Sequence, residues 1–214
     1  MTPPPRPPLI DISPLVDADL SVWPGDTRFS ATDLLRIEQG ASVHLSTITL
    51  SCHTGAHADA PCHYLAGAES IAEVPLDRYL GPCLLADVRP RNHAVAPRDV
   101  EGLDLAGVRR LLLRTRERGD RTRFPDPLTC LTVELVEWLA RHDVVLVGTD
   151  SPSMDRFDSK DLPCHKALYR NGIANLECLM LDGVPCGRYE LIALPLRLAG
   201  RDASPVRAVL RAFP

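Results

Sequence analysis

Short apolar runs recur along the chain, and their lengths predict a protein built largely from strands. A run of about four to eight apolar residues between turn residues is typical of a buried strand. Five segments have this pattern: residues 9–12, 83–88, 110–113, 144–147 and 191–194. Residues 45–51 differ, because apolar and hydroxyl side chains alternate there. Alternation of that kind predicts a half-buried strand.

Residues 133–142 have the pattern of an amphipathic helix. Leu135, Trp138 and Leu139 follow the i, i+3, i+4 spacing of one helix face. Thr132 immediately precedes the segment and is a candidate N-cap. We therefore expect this helix to pack its apolar face against a core.

The order of predicted helices and strands along the chain indicates the fold class. The helix leads directly into residues 143–147, a continuous apolar run typical of a strand buried on both faces. A shorter helix is predicted within residues 161–172, beginning after a proline and ending at Gly172. The sequence therefore predicts an α/β fold that is rich in strands and turns.

Length and charge narrow the class of protein. The 214 residues suit one domain, over residues 9–214, preceded by a disordered Pro-rich tail over residues 1–8. A net charge of −4 without a basic run argues against nucleic acid as a partner. No apolar stretch approaches the ~20 residues that cross a bilayer, so no membrane partner is expected. The start also lacks the apolar core of a signal peptide, which predicts a cytoplasmic protein.

Residues 53–63 hold the strongest chemical signal in the chain. Three of the seven histidines and one carboxylate lie within these eleven residues: His53, His57, Asp59 and His63. Imidazole nitrogen and carboxylate oxygen are the ligand types that suit zinc and neighbouring divalent metals. The alternative is a loop of solvated histidines without a common target. So few histidines lie elsewhere that we favour a metal site.

The spacing within this segment indicates an extended but curled backbone. On a helix, Asp59 would lie about 200° round from His57, whereas in an extended chain all four odd positions begin on one side. A fully extended segment would span ~33 Å, far more than one metal site needs. We expect Gly55, which is free in φ, and Pro61, which fixes φ, to supply the bends.

Two later residues are candidates to complete the site. His165 lies in the second predicted helix, and Glu177 is an acid within an otherwise apolar run. A buried carboxylate needs a cation or a metal, although an arginine partner would satisfy it equally well. The remaining histidines, His44, His93 and His142, stand beside ordinary polar residues and are expected at the surface.

The seven cysteines form no Cys-x-x-Cys pair, which argues against a zinc finger or a disulfide framework. Cys52, Cys62, Cys164 and Cys178 neighbour candidate site residues in sequence. Adjacent side chains of an extended backbone point to opposite faces, so we expect these cysteines to fill space behind the site. Direct ligation by one of them is the alternative.

Several motifs together carry a resemblance to a known family. They are residues 53–63, Trp23–Thr27, Leu162–His165, Asn175–Glu177, Tyr189–Leu196 and Asp202–Ala208. The chain resembles the metal-dependent cyclase-like hydrolases, and among them the bacterial kynurenine formamidases, over nearly its whole length after the tail. The resemblance implies a compact, strand-rich β/β/α fold of the swivelling type in one domain, and a homodimer.

The resemblance also implies a binuclear centre with two Zn²⁺ ions per subunit. By motif match, His53, His57 and Asp59 would hold one ion. Asp59 would bridge to the second ion, which His165 would also bind, and Glu177 would contact both.

Two further roles come from the same motif match. His63 would be the acid/base residue, with a role as an additional zinc ligand as the alternative. Trp23 would line the substrate pocket, with a place in the core as the alternative.

The activity that the resemblance implies is hydrolysis of N-formyl-L-kynurenine to L-kynurenine and formate in tryptophan degradation, through a hydroxide held between the metals. The alternatives are opening of a cyclic amide such as isatin, and a non-catalytic metal-binding protein.

Overall fold

The computed structural model describes residues 8–116 and 119–213. Most of the predicted tail, residues 1–7, lies outside the described residues. The described part is a single strand-rich α/β domain with two α-helices, which confirms the predicted fold class. Its strands, in chain order, are β1 (Leu9–Asp11), β2 (Ser30–Leu35), β3 (Leu45–Thr49), β4 (His57–Asp59), β5 (Leu80–Asp87), β6 (Ala94–Val95), β7 (Arg110–Arg114), β8 (Cys130–Leu131), β9 (Leu146–Thr149), β10 (Ala174–Leu176), β11 (Gly187–Ile192), β12 (Ala203–Pro205) and β13 (Val209–Ala212).

The helices are fewer and shorter than the strands. The α-helices are α1 (Val133–Arg141) and α2 (Pro163–Arg170). Short 3₁₀ turns lie at Ile37–Gln39, Pro61–His63, Leu76–Tyr79, Arg91–His93 and Pro97–Asp99. Both predicted helices are confirmed, and Oγ1 of Thr132 caps α1 by accepting a hydrogen bond from the Leu135 amide.

One seven-stranded sheet organises the domain, in the order β1-β13-β11-β5-β7-β9-β10. The strands from β5 to β10 run parallel, and those from β1 to β5 are antiparallel to their neighbours. Every residue of β9 is buried, as a central parallel strand requires. Its Gly148 packs so closely that a β-carbon would lie 2.6 Å from the Leu112 side chain.

The two faces of the sheet carry different layers. Because side chains alternate along a strand, Leu111 and Leu113 of β7 pack with α1 and α2 on one face. Leu112 points to the other face, into a core that includes Ala56, Ala58 and other residues around β4. The helices and the segment that holds the histidine motif therefore pack mainly on opposite faces of the sheet.

The expectation for residues 45–51 is wrong in part. Strand β3 forms there, but it pairs with β2 in a two-stranded hairpin, and all five of its residues are exposed. Alternation in sequence identifies an extended backbone but not which surface covers it. The strand predicted at 144–147 is also displaced, since β9 begins at Leu146.

Within the described residues, no helix is long and apolar enough to cross a membrane.

Candidate metal centre

The local fold of the histidine motif explains its alternating sequence. His57 and Asp59 belong to β4, while Ala56, Ala58 and Ala60 point to the opposite side and pack in the core. Small side chains at the even positions allow the strand to lie close to the sheet. The odd positions consequently share the other side of the strand, as predicted.

The predicted bends are present at both ends of this strand. Gly55 has a φ of +66°, a left-handed conformation that favours glycine, and a β-carbon added there would lie 3.3 Å from the Pro14 side chain. Pro61 begins a 3₁₀ turn that ends at His63. Because of these two bends, His53 and His63 fold back toward the ends of β4.

Backbone pairing brings the second half of the chain to the motif. Glu177 directly follows β10 and forms an antiparallel bridge with His57. The His57 amide donates to the Glu177 carbonyl at 3.3 Å, and the Glu177 amide donates to the His57 carbonyl at 3.0 Å. His165 arrives separately, from the buried side of α2.

Five predicted residues thus converge in the interior. Oδ1 of Asp59 lies 3.1 Å from Nδ1 of His53 and 3.4 Å from Nε2 of His57. Oδ2 of Asp59 lies 3.4 Å from Nε2 of His165. The Glu177 carboxylate lies 3.4 Å from His57 Nε2 through one oxygen and 3.3 Å from His165 Nε2 through the other.

These atoms form two groups of candidate ligands that share one residue. His53, His57 and Asp59 form the first group, and Asp59, His165 and Glu177 form the second, with ligand atoms within 4.8 Å of one another in each. Within the described residues, His57 Nε2 and Asp59 Oδ1 are buried without a hydrogen-bond partner. Such atoms are costly to bury alone, and the nitrogen and oxygen donor set fits divalent zinc.

Each histidine of the two groups is oriented by an acceptor on its other ring nitrogen. Nε2 of His53 lies 3.0 Å from Oδ2 of Asp202, and Nδ1 of His165 lies 2.6 Å from Oδ2 of Asp155. Nδ1 of His57 donates to the Gly55 carbonyl at 2.8 Å. A proton held on these outer nitrogens leaves the inner ones with a lone pair for a metal.

The carboxylates are fixed in the same way. Nδ2 of Asn175 donates to Asp59 Oδ2 at 2.8 Å and to Glu177 Oε1 at 3.2 Å. The Met154 amide donates to Glu177 Oε1 at 3.1 Å. These bonds hold both acids in place beside His165.

The electrostatics favour a cation at this position. Burial alone would raise the pKa of Asp59, but the imidazoles of His165, His53 and His57 around its carboxylate hold that pKa well below its usual value. Burial likewise opposes the charged form of His57, yet the neighbouring Asp59, Cys178 and Glu177 side chains raise its pKa well above 6.5. The pair of acids therefore draws positive charge into a buried site.

His63 lies at the edge of this cluster and is more exposed than the other four groups around Asp59, with a third of its side chain accessible. Its ring centroid is 4.3 Å from that of His53, and Nδ1 is 3.6 Å from Oδ2 of Asp202. Partial burial lowers the pKa of His63 below its usual value. His53, His63 and Asp202 also form a third group of candidate ligands, so the geometry accommodates either predicted role.

A cavity of about 340 Å³ opens over the cluster. His53, His57, His63, His165 and Glu177 all line it. Trp23 lines the same cavity and is partly exposed, in contrast to a core tryptophan. Its ring stacks on Phe157 at 5.0 Å and meets Phe124 edge-on at 5.3 Å, which gives the cavity an aromatic wall.

The sequence and the fold match known proteins. Residues 10–156, more than two thirds of the chain, match the model of the Cyclase family. The chain belongs to the Cyclase family. One similar structure is described as a potential metal-dependent hydrolase with cyclase activity, at 27% identity and a TM-score of 0.81 over 97% of this chain and 99% of that one.

Two further structures extend the comparison. A predicted metal-dependent hydrolase from Bacillus stearothermophilus is 27% identical, with a TM-score of 0.78 over 95% of this chain and 97% of that one. Isatin hydrolase A from Labrenzia aggregata is 22% identical, with a TM-score of 0.78 over 97% of this chain and 94% of that one. At that identity, the likeness to isatin hydrolase A shows the fold alone.

The remaining histidines of this Cyclase-family chain lie where they were expected. The expectation for the cysteines is wrong at Cys178, which has a φ of +56° instead of an extended backbone and lines the cavity. His44, His93 and His142 are exposed. In the part of the chain that the structure describes, none of the three candidate ligand groups includes a cysteine. Cys164 is buried, and its thiol donates to the Leu131 carbonyl instead.

Three functional contacts were not identified from the sequence. Asp155 and Asp202 orient histidines, and Asn175 holds both acids. Asn175 and Asp202 lie within motifs that carry the family resemblance, so a signal for them existed. Asp155 lies just beyond the turn after β9, where nothing in the sequence separates it from a surface acid.

Proposed function

We propose that this protein is a hydrolase that converts N-formyl-L-kynurenine to L-kynurenine and formate, with two zinc ions per chain as cofactors. The observation that carries the proposal is the convergence of four side chains on the carboxylate of Asp59: His53, His57, His165 and Glu177. The orphaned atoms His57 Nε2 and Asp59 Oδ1 support a metal there rather than an internal hydrogen-bond network.

The residues divide into two ligand sets around a shared carboxylate. His53, His57 and Asp59 would hold one ion, while His165 and the other oxygen of Asp59 would hold the second. Glu177 faces His57 and His165 with different oxygens, which suits contact with both ions. When bound, a pair of divalent ions supplies a strong nucleophile from water at neutral pH and polarises the carbonyl oxygen under attack.

His63 supplies the proton transfer. A lowered pKa keeps its imidazole neutral near pH 7, so it accepts the proton that the attacking water loses. Attack on the formyl carbon gives a tetrahedral oxyanion, and breaking the C–N bond places an electron pair on the aryl nitrogen. His63 returns its proton to that nitrogen, which releases the aromatic amine and formate.

Trp23 orients the substrate. Its ring is held by Phe157 and Phe124, and it presents an aromatic surface to the cavity. A formanilide ring packed on this surface would place its ortho substituent and its formyl group in fixed directions. That positioning supports attack on the formyl carbon rather than elsewhere in the molecule.

The comparisons support hydrolysis more directly than they support one substrate. Two structures at 27% identity are described as metal-dependent hydrolases. Formamide as the substrate rests on the motifs around Trp23 and Asp202 that resemble kynurenine formamidases. Isatin hydrolase A shares the fold, so isatin belongs in the same test. The homodimer stays a prediction, which sedimentation of the purified protein will test.

The deciding experiment combines metal analysis with two assays. We expect about two zinc ions per chain by mass spectrometry and formate release from N-formyl-L-kynurenine that exceeds isatin opening. Faster opening of isatin would assign the cyclic-amide reaction instead. Bound metal with neither reaction would favour a non-catalytic metal-binding protein.

A further inference from the structure

The outer part of the cavity carries charged side chains that the proposed chemistry does not use. Three arginines line it: Arg116, Arg121 and Arg123. Arg121 is already neutralised, since its two terminal nitrogens lie 2.6 and 2.9 Å from the two carboxylate oxygens of Asp17. Arg116 is committed to Asp150, whose backbone carbonyl accepts a hydrogen bond from its guanidinium.

Arg123 differs from the other two. Its side chain is exposed, and among the described residues no carboxylate lies within 4.0 Å of a guanidinium nitrogen. The next residue along the chain is Phe124, which packs edge-on against Trp23. Arg123 therefore places an available cation beside the aromatic wall, away from the buried acids.

Two acids, Asp26 and Asp120, line the same cavity, and among the described residues neither has a Lys or Arg side-chain nitrogen within 4.0 Å. Arg121 and Arg123 are near enough to Asp120 to contribute to the lowering of its pKa, after the hydrogen bonds from Thr122. Asp26 closes the turn after Trp23, with its amide bonded to the Trp23 carbonyl at 2.9 Å. Asp120 accepts hydrogen bonds through Oδ1 from the amide and hydroxyl of Thr122, which leaves Oδ2 available. One cation and two anions thus line the same cavity as the Trp23 ring.

We propose that Arg123, Asp26 and Asp120 form a subsite for the zwitterionic α-amino-acid end of the substrate. The guanidinium of Arg123 binds the α-carboxylate, and the two aspartates face the α-ammonium group. This subsite rests on the proposed function, because it assumes that the formanilide ring lies on Trp23. It predicts selection of aryl formamides that carry an amino acid over neutral aryl formamides and neutral cyclic amides.

The test compares two formamides that differ only in this end. N-formyl-L-kynurenine carries the amino acid, and 2′-formamidoacetophenone has the same ring, ketone and formamide without it. For Arg123→Gln we expect kcat/KM to fall about 10- to 100-fold with the first substrate and to change little with the second, as loss of a hydrogen bond to a charged group implies. Arg121→Gln is the matched control, because Asp17 already occupies that arginine, and it should leave the ratio of the two kcat/KM values unchanged.

Binding of the product gives a second readout that does not depend on turnover. We expect Arg123→Gln and the double variant Asp26→Asn/Asp120→Asn each to weaken L-kynurenine binding by calorimetry, with metal content equal to wild type. Equal losses with both formamides, or an equal effect of Arg121→Gln, would overturn the subsite. A wild-type protein that cleaves neither formamide would instead overturn the proposed function.

Discussion

The carboxylate of Asp202 lies 3.0 Å from Nε2 of His53, although the two residues are 149 positions apart in the chain. Asp202 directly precedes β12, which pairs with β4 of the histidine motif. The contact fixes the His53 ring so that Nδ1 faces Asp59. A carboxylate that orients a metal-binding histidine in this way also raises its affinity for the metal.

Replacement of Asp202 should therefore weaken metal binding without emptying the site. We expect Asp202→Ala to lower zinc affinity by about 10- to 100-fold, and Asp202→Asn to have a smaller effect because the amide oxygen still accepts a hydrogen bond. Competition with a chromophoric chelator measures both. Unchanged affinity in Asp202→Ala would show that the contact does not orient a ligand.

The early part of the site could be predicted from sequence because its information is local. The two-residue side-chain period places His57 and Asp59 on one side of a strand, and Gly55 marks the bend before it. The residue types and positions of His165 and Glu177 make them candidates only. The family resemblance is what assigns them to the same metal centre as the histidine motif. Their approach depends on the bridge between His57 and Glu177, which links segments more than a hundred residues apart.

The features that could not be predicted, the exposure of β3 and the role of Asp155, depend on which distant segments pack against these residues. Strand β3 has the alternation of a half-buried strand, yet its partner β2 leaves it exposed on both sides. Asp155 has the sequence surroundings of a loop acid, but the start of α2 directs the amides of Cys164 and His165 toward it. Neither outcome is encoded within a short window of sequence.

Asp59 should be the residue whose loss affects both metal positions. Its two oxygens face different histidines, so Asp59→Ala removes a ligand from each candidate group. We expect less than one zinc ion per chain by mass spectrometry, and no activity. Asp158→Ala, at an exposed acid, is the control and should retain wild-type metal content. An Asp59→Ala protein with two ions would exclude the shared ligand.

Replacement of His63 should reduce activity without reducing metal content, unlike replacement of a metal ligand. We expect His63→Ala to keep both ions but to lose about 10²- to 10⁴-fold in kcat, the usual contribution of a positioned acid/base group. Metal analysis and turnover must be measured on the same preparation. Loss of zinc in proportion to activity would assign His63 as a ligand instead.

Trp23 should affect substrate binding more than metal binding. Trp23→Ala removes the aromatic wall, and we expect KM to rise roughly tenfold with little change in zinc content. Trp23→Phe keeps an aromatic face and should lie between this variant and wild type. If circular dichroism shows that the Trp23→Ala protein is unfolded, Trp23 has a structural role instead.

Metal binding should strengthen as the pH rises. In the metal-free protein, the neighbouring buried acids raise the pKa of His57 and His165 well above 6.5, so protons compete with a metal for both rings. A metal must displace those protons, and affinity therefore increases as pH approaches the raised values. Calorimetry in buffers of different ionisation enthalpy counts the protons released. Zinc binding without proton release at pH 7 would contradict this account.

Strand β4 turns Ala58 to the sheet and the candidate ligands His57 and Asp59 to the other side, and this back-to-back arrangement limits how the site can be remodelled. A bulkier residue at position 58 would push the whole strand outward and carry the neighbouring imidazole and carboxylate with it. Engineering of substrate choice is better directed to the loops at 20–26 and 119–125, which border the opening and carry no ligand. The candidate ligands of β4 are thus tied to the packed interior, whereas the residues proposed to select the substrate lie in loops that can change without disturbing the core.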